Sequence, residues 1–312
     1  METLSYKAWQ PLTVGETIDI IAPAGGCEPD TLEHVKKLLQ EWGLKPRIAH
    51  DLFGNDLLCA NTDEKRFTQL QEALFNSESS AIWCLRGGYG CTRLISKLLE
   101  LKEKPKTNKL FIGFSDITAL HLFLQQKWHW QTLHGPSANQ VAYECIDSKS
   151  IQEFKKVIFG ELNQLQFSLS LFNMANHGAV INAPILGGTL ALIQASLGTE
   201  WQIDIKDKIL FLEEVNEPAY RIDRMLQHLQ QSGILQDVKA ILLGDFIFTS
   251  SISKLNDIDL IHSVLQRFAE TQNFPVFHIP GIGHGKTNRS LPLGIRANID
   301  LSTNQLTIKI TG

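Results

Sequence analysis

Hydrophobic and polar positions follow two alternating periods along the first half of the chain. Residues 18–22, apolar except for Asp19, stop at Pro23, Gly25 and Gly26, which predicts a short buried strand leading into a turn. Residues 29–42 place Leu32, Val35, Leu38, Leu39 and Trp42 on one helical face, and Gly43 supplies the stop. The alternation then repeats, with strands expected at residues 46–49, 81–85, 110–114 and 131–134 and helices at 62–75, 91–101 and 116–127. Strand and helix in turn call for a parallel sheet covered on both faces. The expected class is α/β, with a doubly wound, flavodoxin- or Rossmann-like sheet in the N-terminal part.

The pattern changes in the middle of the chain. After a helix at residues 151–159, residues 160–178 are polar, weakly periodic and rich in Asn, Gln and Ser, the composition of an interdomain connection. The second half predicts strands at residues 179–186, 208–212, 240–243 and 275–279, and helices after Gly187-Gly188 and at 220–231 and 260–269. Its tail alternates as a hairpin over residues 293–310. The expected division is a first domain at 1–160, a linker at 161–178 and a mixed α+β domain at 179–312.

Composition narrows the function classes. The 312 residues carry a net charge of -4, with basic residues scattered rather than gathered into a stripe, so no nucleic-acid partner is expected. Residues 1–15 lack the basic and apolar regions of a secretory signal. The longest apolar run, 240–248, is short and interrupted by Asp245, so the expectation is a cytoplasmic protein without membrane contact. Five cysteines without a Cys-x-x-Cys pair, and ten histidines without His-Glu-x-x-His, predict reduced thiols and no metal.

Candidate chemistry gathers at strand ends, where open α/β sheets bind ligands. Three such ends carry Gly25-Gly26, Gly87-Gly88 and Ser115. Ser115 falls where the strand period gives way to helical spacing, a position that lifts a hydroxyl off the sheet as in a nucleophile elbow. Gly113 fits the G-x-S part of that pattern, but no second glycine follows, and from this stretch alone a helix cap by Ser115 or Asp116 is the favoured reading. A serine nucleophile needs a base, and the base needs an acceptor that fixes its tautomer. His284, wrapped in Gly281-Ile282-Gly283-His284-Gly285, is the candidate base. Glu213, Glu214 and Glu217 crowd one strand end and can supply the acceptor, or simply complement the next helix dipole.

Six ordered segments carry a resemblance. Ile20-Ile21-Ala22-Pro23-Ala24-Gly25, Leu85-Arg86-Gly87-Gly88-Tyr89-Gly90, the stretch from Ile112 to Leu120, Leu133-His134-Gly135-Pro136, the stretch from Asn216 to Arg224 and the His284 loop together resemble the LD-carboxypeptidase family of serine peptidases. That family also holds the microcin C immunity peptidases. The resemblance implies Ser115 as nucleophile, His284 as base, Glu217 as the residue orienting it, and an oxyanion hole from the backbone N–H groups of Gly88 and Asp116. It implies a cleft between the domains, no metal or organic cofactor, and a homodimer. The implied substrate is a muropeptide, the peptidoglycan stem tetrapeptide, cut at the L,D bond to its terminal D-alanine during cell-wall recycling. Such an exopeptidase must hold a free carboxylate, for which Arg86 is the candidate; the alternative for Arg86 is an ion pair shaping the glycine loop. Rival readings are a peptidase acting on a peptide–nucleotide adduct, with Tyr220 as the aromatic near the glutamates, and a non-catalytic muropeptide binder. A phosphate-binding α/β protein ranks last, since no Lys-Ser/Thr follows either glycine pair.

Overall fold

The computed structural model describes residues 6–173, 180–248 and 256–310. The chain divides into two compact units, one of Met1–Glu161 with Arg289–Leu291, the other of Leu162–Asn288 with Pro292–Gly312. In the first unit β1 (Thr17–Ile21), α1 (Thr31–Glu41), β2 (Lys45–Ile48), α2 (Asp63–Phe75) and β3 (Ala81–Cys84) follow one another. A 3₁₀ turn at Cys91–Leu94 and α3 (Ile95–Leu99) lead to β4 (Leu110–Gly113). A second 3₁₀ turn at Ser115–Ile117 opens α4 (Thr118–Trp128), and β5 (Thr132–His134), α5 (Ala138–Ala142) and α6 (Ser148–Ile158) complete the run.

Strands β2, β1, β3, β4 and β5 stand in that spatial order and pair in parallel. β3 and β4 are buried at every residue, as central strands covered on both faces must be. Their helices are set by local chemistry. The Thr62 hydroxyl accepts from Lys65 N at the start of α2, and the Asp147 carboxylate accepts from Ser150 N at the start of α6. Each such cap stabilises its helix by about 1 kcal/mol. The chain returns at residues 289–291, where Arg289 forms a two-pronged ion pair with Glu153 of α6.

The second unit contains β6 (Gln164–Ser168), β7 (Ser170–Leu171), β8 (Val180–Thr189), α7 (Leu190–Ser196), β9 (Ile209–Val215), α8 (Ala219–Gln231), β10 (Ala240–Ile247), α9 (Asn256–Glu270) and β11 (Val276–His278). β12 (Leu291–Leu293) ends the sheet of the first unit beside β5, and β13 (Arg296–Asp300) and β14 (Gln305–Lys309) form the closing hairpin. The eight-stranded sheet runs β6-β14-β13-β8-β9-β10-β11-β7. Its centre, β8 to β11, is parallel, and β13, β14, β6 and β7 pair antiparallel at the flanks. This is the mixed α+β arrangement that the second-half pattern predicts.

The expected linker at 161–178 differs from the structure. Residues 164–168 and 170–171 are strands, and in β6 Leu165 and Phe167 point inward between exposed Gln164, Gln166 and Ser168. An edge strand of period 2 with glutamines on its wet face reads by composition as a connection. Residues 174–179 lie outside the described residues, so that part of the expected linker, and the start of the expected domain at Ala179, have no counterpart here. Among the described residues no helix is long and apolar enough to cross a membrane.

Candidate active site

In the first unit the chain turns sharply at Ser115. β4 ends at Gly113, and Ser115 takes a φ of 62°, the left-handed region that costs a non-glycine residue about 1–3 kcal/mol. Its 3₁₀ turn leads directly into α4, so the N–H groups at its start have no acceptor within the turn. Behind the turn His121 is fully buried. Burial pushes its pKa down to about 3, so the ring is neutral and Nε2–H donates to the Gly113 carbonyl at 2.8 Å.

The neighbouring strand ends pack onto this turn. A Cβ on Gly87 would lie 2.7 Å from Ser115 Cβ and 3.0 Å from its Oγ, so only glycine fits beside the hydroxyl. Gly88 holds a φ of 116°, and Gly25 N donates to the Gly87 carbonyl at 3.0 Å. Asp116 is buried, and its carboxylate accepts from Cys91 N at 2.7 Å. Burial pushes the Asp116 carboxyl up, against the pull of that N–H group. Arg86 is exposed and donates from Nη1 to the Gly26 carbonyl at 2.9 Å. It also opposes the upward push of burial on the neighbouring Cys27 thiol. The ion pair weighed for Arg86 is thus replaced by a bond to a carbonyl.

A residue absent from the sequence reading ties these loops together. Arg66 is 1% exposed, donates Nη1 to the carbonyls of Pro23 and Gly90, donates Nε to Asn61 O, and pairs with Asp63. Asp63 in turn receives Arg93 through both oxygens, each at 2.9 Å from Nε. The signal was present: Arg66 occupies the helix row of Leu70, Ala73 and Leu74, where period demands an apolar side chain.

The second unit holds the histidine. His284 Nδ1 lies 2.7 Å from Glu213 Oε2, and Glu213, with no exposure, takes the Thr189 hydroxyl on its other oxygen. Burial alone would lower the His284 pKa, but the charge of Glu213 and its hydrogen bond outweigh it, so the value is raised. Gly283, at a φ of 140°, lets the loop close on this pair: a Cβ there would meet Glu213 Oε2 at 3.1 Å. Glu214, its neighbour, faces the other way, as alternate strand residues do. Its carboxylate accepts from Ala191 N and Val215 N, both at 2.8 Å.

The carboxylate that meets His284 is that of Glu213, not the Glu217 that the sequence reading expects. Glu217 is ion-paired with Arg221 at 2.8 Å, one helical turn on, while Glu213 meets His284. The reading ends the strand at Leu212, whereas β9 continues through both glutamates to Val215, with Glu213 met by Thr189 and His284 and Glu214 by two backbone N–H groups. Tyr220 is exposed, with the Arg224 guanidinium 5.6 Å above its ring. Ser115, Gly88, Asp116 and Arg86 belong to the first unit, and Glu213 and His284 to the second. Among the described residues no group of three or more His, Cys, Asp or Glu is placed to hold a metal ion.

Known proteins agree with these features. The family model for the LD-carboxypeptidase N-terminal domain matches residues 18–135, and that for the C-terminal domain residues 182–299. A Rickettsia conorii protein with a provisional carboxypeptidase name is 40% identical over 276 residues, covering 87% of this chain and 84% of its own. The crystal structure of muramoyltetrapeptide carboxypeptidase from Oxalobacter formigenes is 29% identical with a TM-score of 0.76, over 94% of this chain and 98% of that one. An MccF-like protein from Bacillus anthracis shares the fold, at 22% identity and a TM-score of 0.80 over 97% and 99% of the two chains. With both halves of its sheet architecture and both domain signatures matched in order, the chain belongs to the LD-carboxypeptidase family.

Proposed function

We propose that the protein is a serine carboxypeptidase that removes the terminal D-alanine from peptidoglycan stem tetrapeptides. The observation that carries this reading is the His284 Nδ1 to Glu213 Oε2 contact of 2.7 Å. It fixes the tautomer with the proton on Nδ1 and leaves Nε2 as the basic nitrogen, the form a serine hydrolase needs. The left-handed turn at Ser115 supports the matching nucleophile.

In this mechanism Ser115 Oγ attacks the carbonyl carbon of the scissile amide and His284 Nε2 takes its proton. The oxyanion is held by the backbone N–H groups of Gly88 and Asp116, whose loss typically costs about 3–4 kcal/mol per donor. His284 then passes its proton to the departing amine of D-alanine, and water repeats the sequence on the acyl-enzyme. Glu213 stabilises the imidazolium at both steps. Arg86 keeps guanidinium N–H groups beyond the one given to Gly26 and is assigned to the substrate carboxylate. The muropeptide follows from the activity named for the Oxalobacter relative. The reading includes work on released wall fragments in the cytoplasm, by a homodimer, without metal or organic cofactor.

The test is release of D-alanine from L-Ala-γ-D-Glu-diaminopimelate-D-Ala, run beside Ser115→Ala and an all-L peptide. Release by the native chain alone, from the native peptide alone and unaffected by chelator, is the expected result. Binding without release would replace the hydrolase with a muropeptide binder, and release by Ser115→Ala would remove the nucleophile.

A further inference from the structure

The loop that carries His284 belongs to no regular element. Residues 279–290 run between β11 and β12 without helix or strand, and Gly281, Gly283 and Gly285 leave the backbone around the imidazole free to take many conformations. A general base has to stand within hydrogen-bond reach of the proton it takes, so something outside the loop must fix its place. Glu213 fixes the ring at Nδ1. It does not fix the backbone beneath the ring.

That backbone is held from β10. Leu243 pairs with Leu212 and Phe246 with Glu214, so three steps along β10 match two along β9, and the extra residue makes a bulge at Gly244-Asp245. Bulges bend a strand and re-aim its side chains, which suits them to the margins of active sites. Here the bulge sets Asp245 against the start, the middle and the end of the loop. Asp245 Oδ1 accepts from Gly281 N at 3.1 Å, and Asp245 N donates to the Ile282 carbonyl at 2.9 Å. A Cβ on Gly283 would lie 3.2 Å from the Asp245 carbonyl oxygen, and one on Gly285 would lie 3.2 Å from Oδ2. Gly244 makes the approach possible, since a Cβ there would meet the Ile282 carbonyl oxygen at 2.6 Å. His284 thus lies between two residues that both rest on Asp245.

We propose that Asp245 is a positioning residue, which fixes the backbone of the His284 loop so that the imidazole stands where the base is needed. The proposal takes its purpose from the hydrolytic reading and its geometry from the loop contacts alone. Two other roles fit less well. The charges acting on His284 are those of Glu213 and Glu214, so Asp245 does not tune the proton affinity of the ring. A plain loop cap would be complete with the Gly281 bond and would not need the contacts at Gly283 and Gly285. Burial pushes the Asp245 carboxyl up, with Glu213 adding to it and the Gly281 N–H and His278 opposing. An amide of the same shape keeps the contacts without that penalty, which separates shape from charge.

Asp245→Asn keeps the outline and an oxygen for Gly281 N, and Asp245→Ala removes both. Both variants are compared with the native chain by kinetics of D-alanine release and by proton NMR of His284 Nδ1–H, a resonance that a carboxylate partner moves to low field and that Glu213→Gln identifies by its loss. Asp245→Ala is expected to lower kcat about 10²-fold, the loss typical of a displacement of about 1 Å, with KM within a few-fold, and to shift or broaden the resonance. Asp245→Asn is expected to retain most of kcat and the native resonance. Should thermal melting show that Asp245→Ala does not fold, Gly285→Ala presses on Oδ2 from the loop side and is expected to lower kcat with KM little changed; an unchanged kcat there would overturn the proposal. A folded Asp245→Ala with native kcat and resonance would also overturn it, as would Asp245→Asn impaired as much as Asp245→Ala, or a native chain without the resonance. A native chain that shows the resonance and releases no D-alanine would overturn the hydrolytic reading alone, and the resonance of the variants would still decide the role of Asp245.

Discussion

Glu213 and His284 meet at 2.7 Å on the buried side of β9, while Glu217 spends its carboxylate on Arg221. Two candidate acids four residues apart thus have different partners, one enclosed beside the imidazole and one ion-paired just before a half-exposed helix. Glu213→Gln is expected to lower kcat for D-alanine release by about 10⁴-fold, the loss typical when a triad acid no longer fixes the tautomer. Glu217→Gln removes an ion pair of the kind worth about 0–1 kcal/mol and is expected to leave kcat within a few-fold. Steady-state kinetics on the pair decides between them.

The same contact sets the pH profile. In the proposed mechanism His284 serves as base only when neutral, and Glu213 raises its pKa above the ordinary histidine value despite burial. The acid limb of kcat/KM is therefore expected above that ordinary value, with activity lost as pH falls through it. In Glu213→Gln the residual activity is expected to show this limb moved to lower pH, a shift read directly from the profile.

Glu214 makes stability depend on pH instead. Burial first, and the charges of Glu213 and Glu217 after it, push its carboxyl from 4.5 up to about 7, against two backbone N–H donors. Between those values the folded chain holds a proton that the unfolded chain has lost, so stability falls as pH rises through the window. The whole effect amounts to about 3 kcal/mol. Melting temperatures of Glu214→Gln are expected to lose this slope between pH 4.5 and about 7.

Gly87→Ala places a methyl group 2.7 Å from Ser115 Cβ and 3.0 Å from its Oγ, with the Phe114 carbonyl oxygen at 3.4 Å. The hydroxyl has to move, and displacement by about 1 Å commonly costs about 10²-fold in rate. Activity is expected to fall by about that factor while urea denaturation shows a loss of about 1–3 kcal/mol. An unchanged rate would mean that the turn relaxes without carrying Ser115 along.

Arg66→Met leaves Asp63 inside a network built for two guanidinium groups and frees the carbonyls of Pro23 and Gly90. Asp63 keeps Arg93, so the cost comes from the buried carbonyls left unpaired, and a loss of about 1–3 kcal/mol is expected in chemical denaturation. Asp63→Asn keeps the side-chain shape and is expected to be milder.

Some of this is legible in the amino-acid sequence alone. The change of period at Ser115 shows in the residues themselves, because a central strand must be apolar and α4 must be apolar on its inner face. The choice among Glu213, Glu214 and Glu217 does not show, since a charged residue inside a central strand is tolerated only when partners distant in sequence meet it. Thr189 and His284 do so here, from positions 24 and 71 residues away. The strand at 164–168 is hidden for the converse reason: half of an edge strand is wet, and glutamine on that half looks like loop. Arg66 is legible only as a violation, a cation in an apolar row, whose explanation lies in carbonyls 43 and 24 residues off.

The bond from Cys91 N to the Asp116 carboxylate has a mechanical meaning. Asp116 supplies its main chain to the turn at Ser115 and its side chain to the far end of the Gly87-Gly88 loop, so the two segments are geared to one another. On the proposed mechanism, in which N–H groups of both segments face one substrate oxygen, the spacing between those groups is braced by the length of one aspartate.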